Sequence, residues 1–193
     1  MSDWRDFKSL SINGTARSLQ GWRAFAQQQL QEGYGIHEIE EILEFVVDWS
    51  NRKEWIEART SGSTGRQKNI KIRKEQILAS AERTLSSLNL KPGDSALLCL
   101  PHRFIGGKMM IARSIIGELD LHITENTAKP QLPENVEISF AAIVPYQIVS
   151  INKDDEARQR WMKVKKIIIG GAHVDNALDE QLRSWPNEIY ESF

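Results

Sequence analysis

From residue 74 onward, the sequence alternates between short runs of Ile, Leu and Val and longer amphipathic stretches. The apolar runs predict strands over 95–100, 119–124, 138–144, 166–169 and 188–193. The amphipathic stretches predict helices over 74–88, 106–116 and 178–185, with a further helix after residue 144. Apolar strands separated by helices form βαβ crossovers, and helices then cover both faces of the sheet. The alternation therefore predicts an α/β fold built on a βαβ-rich sheet.

The first 54 residues carry a different pattern. Apolar residues recur at helical spacing over 17–31 and again over 36–49, which predicts two amphipathic helices. The tryptophans in this part of the chain are spaced as core residues are, so we expect them to pack inside. We therefore predict a helical amino-terminal segment over 1–54 and an α/β region over 55–193.

The stretch 60–68 combines glycines, hydroxyl side chains and a final lysine between two predicted strands, 55–59 and 69–72. Glycine permits positive φ and brings backbone N–H groups close to an anion, while hydroxyls and a lysine add donors and charge. A flexible hairpin tip is the alternative interpretation. The candidate phosphate-binding residues are Thr60, Ser61, Gly62, Ser63, Thr64, Gly65 and Lys68.

The spacing within this stretch differs from the Walker pattern. Two residues, rather than four, separate Gly62 from Gly65, and Asn69 follows Lys68 where the Walker loop has Ser or Thr. A Walker loop also opens a helix, whereas this loop joins two predicted strands. An ordinary P-loop NTPase is therefore disfavoured.

Three further segments place turn residues at the ends of predicted elements. Leu100-Pro101 ends one strand and Gly106-Gly107 opens the next helix, Gly170-Gly171 ends another strand, and 190–193 reads Tyr-Glu-Ser-Phe. Each segment alone is typical of a turn or an edge strand. Ligands of parallel sheets bind at the carboxyl ends of the strands, so the segments together predict a cleft there.

In order and spacing, these segments resemble the motifs of the adenylate-forming superfamily, the acyl-CoA synthetases. Residues 60–68 match the superfamily pattern Ser/Thr-Ser-Gly-Ser/Thr-Thr-Gly-x-Pro-Lys except at Gln67, where proline is usual. The resemblance covers roughly residues 56–193 and implies ATP, Mg²⁺ and CoA as cofactors. The helix after Gly-Gly and the short amino-terminal region most resemble the ligases of 2-succinylbenzoate in menaquinone synthesis.

The resemblance also implies a pocket for the acyl group and the adenine. Its residues in this chain are His102, Phe104, Gly106, Lys108, Arg113, Gly170, Gly171, Ala172 and Phe193. The superfamily's aromatic-or-His position, counted back from Gly-Gly, falls on Phe104 rather than on His102. Because 2-succinylbenzoate carries a second carboxylate, Lys108 and Arg113 are the cations available to bind it.

The implied reaction is adenylation of a small-molecule carboxylate by ATP, followed by transfer of the acyl group to CoA. Superfamily members carry further nucleotide and magnesium ligands, and a carboxy-terminal domain, beyond the motif at 190–193. We therefore expect these 193 residues to be the amino-terminal part of a longer ligase, inactive alone and open to homodimer formation through unpaired strands. The alternatives are an aryl- or fatty-acid–CoA ligase of the same superfamily, or a noncatalytic nucleotide-binding module.

The composition disfavours several other classes. A net charge of −1 with 26% charged residues shows no bias toward nucleic acid. The amino terminus has no apolar signal region and no long apolar run follows, so we expect a cytoplasmic protein without a membrane partner. The single cysteine, Cys99, lies in an apolar run and predicts a buried thiol. The four histidines lack metal-ligand spacing, so no metal ligand is predicted.

Overall fold

The computed structural model describes residues 2–31, 37–59 and 68–192, which form a seven-stranded sheet flanked by helices and a separate two-stranded hairpin. A 3-10 turn (Trp4–Asp6) precedes the first strand. The strands are β1 (Ser9–Ile12), β2 (Thr15–Ser18), β3 (Trp55–Arg59), β4 (Asn69–Arg73), β5 (Ser95–Leu98), β6 (Asp120–Ile123), β7 (Phe140–Ile143), β8 (Lys166–Ile169) and β9 (Glu188–Glu191). The helices are α1 (Leu19–Gln31), α2 (His37–Ser50), α3 (Lys74–Ser87), α4 (Ile105–Gly117), α5 (Pro145–Asn152), α6 (Asp155–Trp161) and α7 (Asn176–Leu182).

The order of strands in the large sheet is β2-β1-β6-β5-β7-β8-β9. β1 and β2 pair in antiparallel fashion, and every other neighbouring pair of this sheet is parallel. The register sets Leu97 opposite Ala141 and Ile143 opposite Ile169, so β5, β7 and β8 end at the same edge. The mostly parallel sheet with flanking helices confirms the predicted α/β class.

The hairpin of β1 and β2 is a feature that the helical pattern does not predict. Its turn is Asn13-Gly14, and both residues have positive φ (49° and 78°), as a two-residue hairpin turn of type I′ requires. All four residues of β2 are exposed, so the strand has no apolar alternation to reveal it. β1 joins the large sheet by pairing with β6, and at this pairing the Ser11 hydroxyl donates to the Asp120 carboxylate at 2.7 Å. The segment over 1–54 thus contains two strands besides its helices, and its boundary at residue 54 stays a prediction.

Two hydrophobic cores lie on opposite faces of the sheet. Successive residues of β7 contribute to them alternately, because side chains of a strand point to opposite faces: Phe140 and Ala142 belong to one core, Ala141 and Ile143 to the other. The first core packs against α1 to α4, and the second against α5 to α7. Cys99 lies in the second core, where burial raises the pKa of its thiol to about 12. No helix of the described residues is both long and apolar enough to span a bilayer.

Lys74 closes the base of the β3–β4 hairpin. Its side chain is fully buried, and its ammonium donates to the Trp49 carbonyl at 2.9 Å and to the Asn51 carbonyl at 2.9 Å. The same ammonium lies 4.1 Å from the centre of the Trp4 ring. Trp49 and Asn51 precede β3 while Lys74 follows β4, so these contacts tie together the two ends of the segment that carries the glycine-rich loop. Burial lowers the pKa of Lys74 to about 8.

We expect Lys74 to make the free energy of unfolding of the full-length protein change with pH between about 8 and 10.5. Because the folded-state pKa is about 8 and the ordinary value is 10.5, the unfolded chain binds more protons between these values. The free energy of unfolding should therefore rise, relative to a Lys74→Met variant, as pH climbs from about 8 toward 10.5. Urea unfolding of both proteins at several pH values measures this difference, and a difference that stays constant with pH would contradict it.

Candidate functional site

A cavity opens where β5, β7 and β8 end. Its volume is about 360 Å³, within the range of small-molecule sites, and its walls are mostly apolar. The lining residues come from the turn after β5, from α4, from the ends of β7 and β8, and from single positions on α3 and after β9. They are Ser80, Leu100, Pro101, Phe104, Ile105, Gly106, Gly107, Met109, Arg113, Ala142, Ile143, Val144, Ile168, Gly170, Gly171 and Ser192. The parallel sheet thus forms the predicted cleft.

The Gly106-Gly107 pair allows α4 to begin against the turn that follows β5. A Cβ on Gly107 would lie 2.4 Å from the Pro101 carbonyl oxygen and 2.8 Å from the His102 Cα, so only glycine fits there. A Cβ on Gly106 would meet one side-chain atom, the Leu100 Cδ1, at 3.2 Å. The two glycines therefore have different roles: Gly107 permits a close backbone contact, and Gly106 leaves open space in the cavity wall.

The Gly170-Gly171 pair also lines the cavity. Gly170 follows β8 directly, and a Cβ there would lie 2.9 Å from the Ser192 hydroxyl. Gly171 has a φ of 82°, which favours glycine, and its backbone packs near Val144 at the end of β7. These small residues let the ends of β7, β8 and β9 approach one another. Ala172 is exposed and lies outside the set of lining residues.

The β3–β4 hairpin brings the residue before the glycine-rich loop next to the cavity lining. The Arg59 N–H, at the end of β3, donates to the Arg103 carbonyl at 3.0 Å, and Arg59 pairs with Phe104 in a parallel bridge. Arg59 also pairs with Asn69, the first residue of β4. The loop over 60–67 lies outside the described residues, as does Phe193, but Arg59, which precedes that loop, stands beside Phe104. Lys68 is exposed immediately before β4.

Arg113 is the one cation among the described residues that line the cavity. Its side chain is 9% exposed and lines the cavity, and burial lowers its pKa to about 10, so it stays charged at neutral pH. One guanidinium nitrogen lies 3.8 Å from the Met110 sulfur, and the guanidinium carbon lies 5.9 Å from the centre of the Phe140 ring. The Nε atom is buried without a hydrogen-bond partner among the described residues. No carboxylate of the described chain forms an ion pair with it.

Lys108 and His102 point toward α2 instead. The Lys108 ammonium lies 5.7 Å from the centre of the Phe45 ring, and burial lowers its pKa while the nearby Asp48 and Glu44 carboxylates oppose that shift. The His102 Nε2 lies 2.9 Å from a Glu44 carboxylate oxygen. The structure therefore brings Phe104, Gly106, Arg113, Gly170 and Gly171 together, and it places Lys108 and His102 at a neighbouring interface.

Several lining residues are absent from the candidates that the sequence offers. Met109 stands four positions before Arg113, so helical spacing alone would put both on one face of α4. Ser80 and Ser192 reach the cavity through the packing of α3 and through the end of β9. No local sequence signal marks these two serines, because their place depends on distant parts of the chain.

We expect the two glycines of α4 to respond differently to replacement by alanine. Gly107→Ala should lower the stability of the full-length protein by about 1–3 kcal/mol or more, because the added methyl meets backbone atoms that cannot move aside. Gly106→Ala, the matched control, should be nearly neutral, because a flexible leucine side chain can adjust and alanine favours helix. Thermal denaturation measures both, and equal melting temperatures would contradict the proposed contact.

Comparison with known proteins places this arrangement in a family. Residues 60–193 match the family described as AMP-binding enzyme. Two 2-succinylbenzoate–CoA ligases from strains of Staphylococcus epidermidis are 26% identical over 137 residues, which is 69% of this chain and 28% of each relative. This chain thus spans less than a third of the length of those relatives.

Solved structures show the same fold. An acyl-CoA synthetase (AMP-forming)/AMP-acid ligase II-like protein from Dyadobacter fermentans is 32% identical, with a TM-score of 0.74 over 81% of this chain and 45% of that one. The O-succinylbenzoate coenzyme A synthetase of Bacillus subtilis, solved with ATP and magnesium ion, is 19% identical, with a TM-score of 0.53 over 69% of this chain and 28% of that one. The family match covers more than half of this chain. The chain belongs to the AMP-binding enzyme family.

Proposed function

We propose that the full-length protein is an ATP-dependent acid–CoA ligase that activates 2-succinylbenzoate in menaquinone synthesis. The observation that carries this proposal is the position of the residues that flank the glycine-rich loop: Arg59, paired with Asn69 across the hairpin, also pairs with Phe104, which lines a mostly apolar cavity. A loop suited to phosphate next to a cavity suited to an acyl group is the arrangement that adenylation of a carboxylate requires.

The proposed chemistry has two steps. A carboxylate oxygen of the acid attacks the α-phosphorus of ATP, pyrophosphate leaves, and an acyl-adenylate forms. The CoA thiol then loses its proton and attacks the acyl carbon, so that AMP leaves and a thioester remains. The apolar walls of the cavity, including Ile143 and Ile168, would keep water away from the reactive anhydride.

The loop over 60–68 would neutralise the triphosphate. Backbone N–H groups and hydroxyls from Thr60 to Gly65 would donate to phosphate oxygens, and the Lys68 ammonium would balance the charge that develops on the leaving pyrophosphate. Magnesium is also implied by the resemblance. Among the described residues, no group of three or more His, Cys, Asp or Glu side chains is placed to hold a metal ion.

The remaining pocket residues take positions consistent with contact to the acyl-adenylate. Phe104 and Gly106 would flank the acyl group on one side, and Gly170 and Gly171 would flank the adenylate on the other. His102 and Ala172 lie outside the lining residues, so we assign them no contact with substrate. A reaction that consumes ATP and CoA also supports the proposed cytoplasmic location.

The choice of 2-succinylbenzoate as the acid is supported by the likeness to 2-succinylbenzoate–CoA ligases. An assay that compares acids tests this choice directly. The assay is ATP-dependent pyrophosphate release by the full-length protein, with 2-succinylbenzoate compared against benzoate and a fatty acid. Release with succinylbenzoate alone is the expected result. Release with another acid would retain the ligase activity and replace the substrate. Binding of ATP without release with any acid would identify a nucleotide-binding module instead.

We expect Lys68→Ala in the full-length protein to slow pyrophosphate release by roughly 100-fold, because a charged donor to the transition state is lost. Lys71→Ala is the matched control, since Lys71 is an exposed lysine on the same hairpin whose ammonium lies 5.3 Å from the centre of the Trp55 ring. This control should leave the rate near that of the wild type. Equal rates for the two variants would refute the role of Lys68.

A further inference from the structure

Another cavity lies in the amino-terminal part of the chain, apart from the ends of β5, β7 and β8. Its lining comes from the 3-10 turn and the residues after it, from the start of α1, and from the end of α2 and the residues after it. Its volume is about 450 Å³, within the range of small-molecule sites. None of the described residues that line it also lines the cavity beside α4. A ligand bound here would occupy a site separate from that of the proposed ligase reaction.

The buried part of the lining of this amino-terminal cavity is apolar and mostly aromatic. Trp4, Leu19 and Trp49 line it and are at most 6% exposed, and Phe7 lines it while half-buried. The Trp4 and Trp49 rings meet edge to face, with ring centres 6.1 Å apart. Aromatic walls hold a flat apolar group through burial of apolar surface and close ring contacts. The buried part of the cavity therefore suits an aromatic body.

Every charged residue that lines the amino-terminal cavity within the described chain is a cation. These residues are Arg5, Lys8, Arg23 and Arg52. The whole chain is balanced by contrast, with 25 Lys and Arg against 26 Asp and Glu. Arg5 is paired, since its guanidinium lies 2.9 Å from an Asp3 carboxylate oxygen. The other three are exposed and form no ion pair with any described residue, so their charges together attract an anion to this surface.

One buried donor in the wall of this cavity has no acceptor. The Trp49 Nε1 atom is buried without a hydrogen-bond partner among the described residues. Two other buried indoles are paired: the Trp22 Nε1–H donates to the Leu10 carbonyl at 2.8 Å. The Trp161 Nε1–H donates to the Pro130 carbonyl at 3.0 Å. A buried N–H without an acceptor costs free energy, and because Trp49 lines the cavity, a ligand there can offer the missing acceptor.

The amino terminus of α1 adds to the positive potential of the cavity. Leu19 and Gln20, the first two residues of this 13-residue helix, line the cavity, and the helix dipole places partial positive charge at this end. The Leu19 N–H donates to the Lys8 carbonyl at 2.7 Å. The Ser18 hydroxyl accepts from the Gly21 N–H at 2.9 Å, so the start of the helix is held in place. The cavity thus combines a helix amino terminus with three unpaired cations.

We infer that this cavity binds a small organic anion in which an aromatic body carries a doubly charged group, as in an aryl phosphate. The inference is independent of the proposed ligase function. The aromatic body lies against Trp4, Phe7 and Trp49, and the charged group lies beside Arg23 and Arg52. A guanidinium donates paired hydrogen bonds to phosphate oxygens, and three unpaired cations favour a doubly charged group over a singly charged one.

Calorimetric titration of the full-length protein with 1-naphthyl phosphate tests this inference. Two further compounds each lack one half of the ligand: inorganic phosphate has no aromatic body, and 1-naphthol has no charge. Each should bind at least about tenfold more weakly than 1-naphthyl phosphate, because either the apolar burial or the charged hydrogen bonds are lost. Inorganic phosphate or 1-naphthol bound as tightly as 1-naphthyl phosphate would overturn the assignment of an aromatic anion.

Four variants locate the bound 1-naphthyl phosphate. Arg23→Gln and Arg52→Gln should each raise its Kd by about tenfold or more, because each removes a charged donor from the cavity. Arg17→Gln is the matched control, since Arg17 is an exposed arginine of β2 that does not line the cavity and whose guanidinium carbon lies 4.8 Å from the centre of the Phe25 ring. This control and Lys68→Ala, in the glycine-rich loop, should leave Kd unchanged.

The opposite pattern would overturn the inference. Equal Kd values for the wild type, Arg23→Gln and Arg52→Gln would show that the cavity is not the site. A Kd raised in Lys68→Ala alone would place 1-naphthyl phosphate at the glycine-rich loop. Both arginines of the cavity are exposed, so their replacement should leave the fold intact, and equal melting temperatures for these variants and the wild type check this.

The indole N–H of Trp49 gives a second readout. In full-length protein labelled with 15N-tryptophan, 1-naphthyl phosphate should shift the Nε1–H resonance of Trp49, because this donor gains an acceptor. The Nε1–H resonance of Trp22, which is already bonded to the Leu10 carbonyl, should stay in place and serves as the internal control. A Trp49 resonance that does not move at saturating 1-naphthyl phosphate would contradict the proposed contact.

Discussion

Parallel backbone pairing of β5, β7 and β8 is the constraint on which the candidate site depends. The register that sets Leu97 opposite Ala141 and Ile143 opposite Ile169 makes three strands end at one edge, and the chain must turn there each time. Glycine occupies the tightest points of these turns, where a Cβ on Gly107 would meet the Pro101 backbone and a Cβ on Gly170 would meet Ser192. The cavity is the space that remains between these turns and α4.

The buried cations show how the fold divides structural work from binding. Lys74 donates hydrogen bonds to backbone and side-chain oxygens at the base of the β3–β4 hairpin, and the Asp48 and Glu44 carboxylates of α2 oppose the lowering of the pKa of Lys108 by burial. Both therefore hold elements of the amino-terminal half together. Arg113 has no such oxygen partner in the described chain, although its side chain is only 9% exposed. An uncompensated charge is usually tolerated where function requires it, and this one borders the cavity.

Much of the fold could be predicted from the sequence because its signals are local. Runs of Ile, Leu and Val marked the central strands, and the glycine pairs marked the turns that line the cavity. The Asn13-Gly14 hairpin was not predicted, since β2 is exposed and gains its place by pairing with β1 rather than by an apolar pattern. Helical spacing shows that Lys108 and Arg113 occupy different faces, but only the packing of α4 between α2 and the sheet decides which face meets the cavity. Ser80 lines the cavity because α3 packs beside α4, and this contact between helices cannot be read from local sequence.

The most direct test of the account is a crystal structure of the full-length protein with a hydrolysis-resistant analogue of the 2-succinylbenzoyl adenylate. The account predicts that the acyl group fills the cavity at the ends of β5, β7 and β8. It also predicts that the adenylate lies beside Gly170 and Gly171, with its phosphate next to the loop that follows Arg59. An acyl group bound outside this cavity, or an adenylate phosphate held away from that loop, would contradict it.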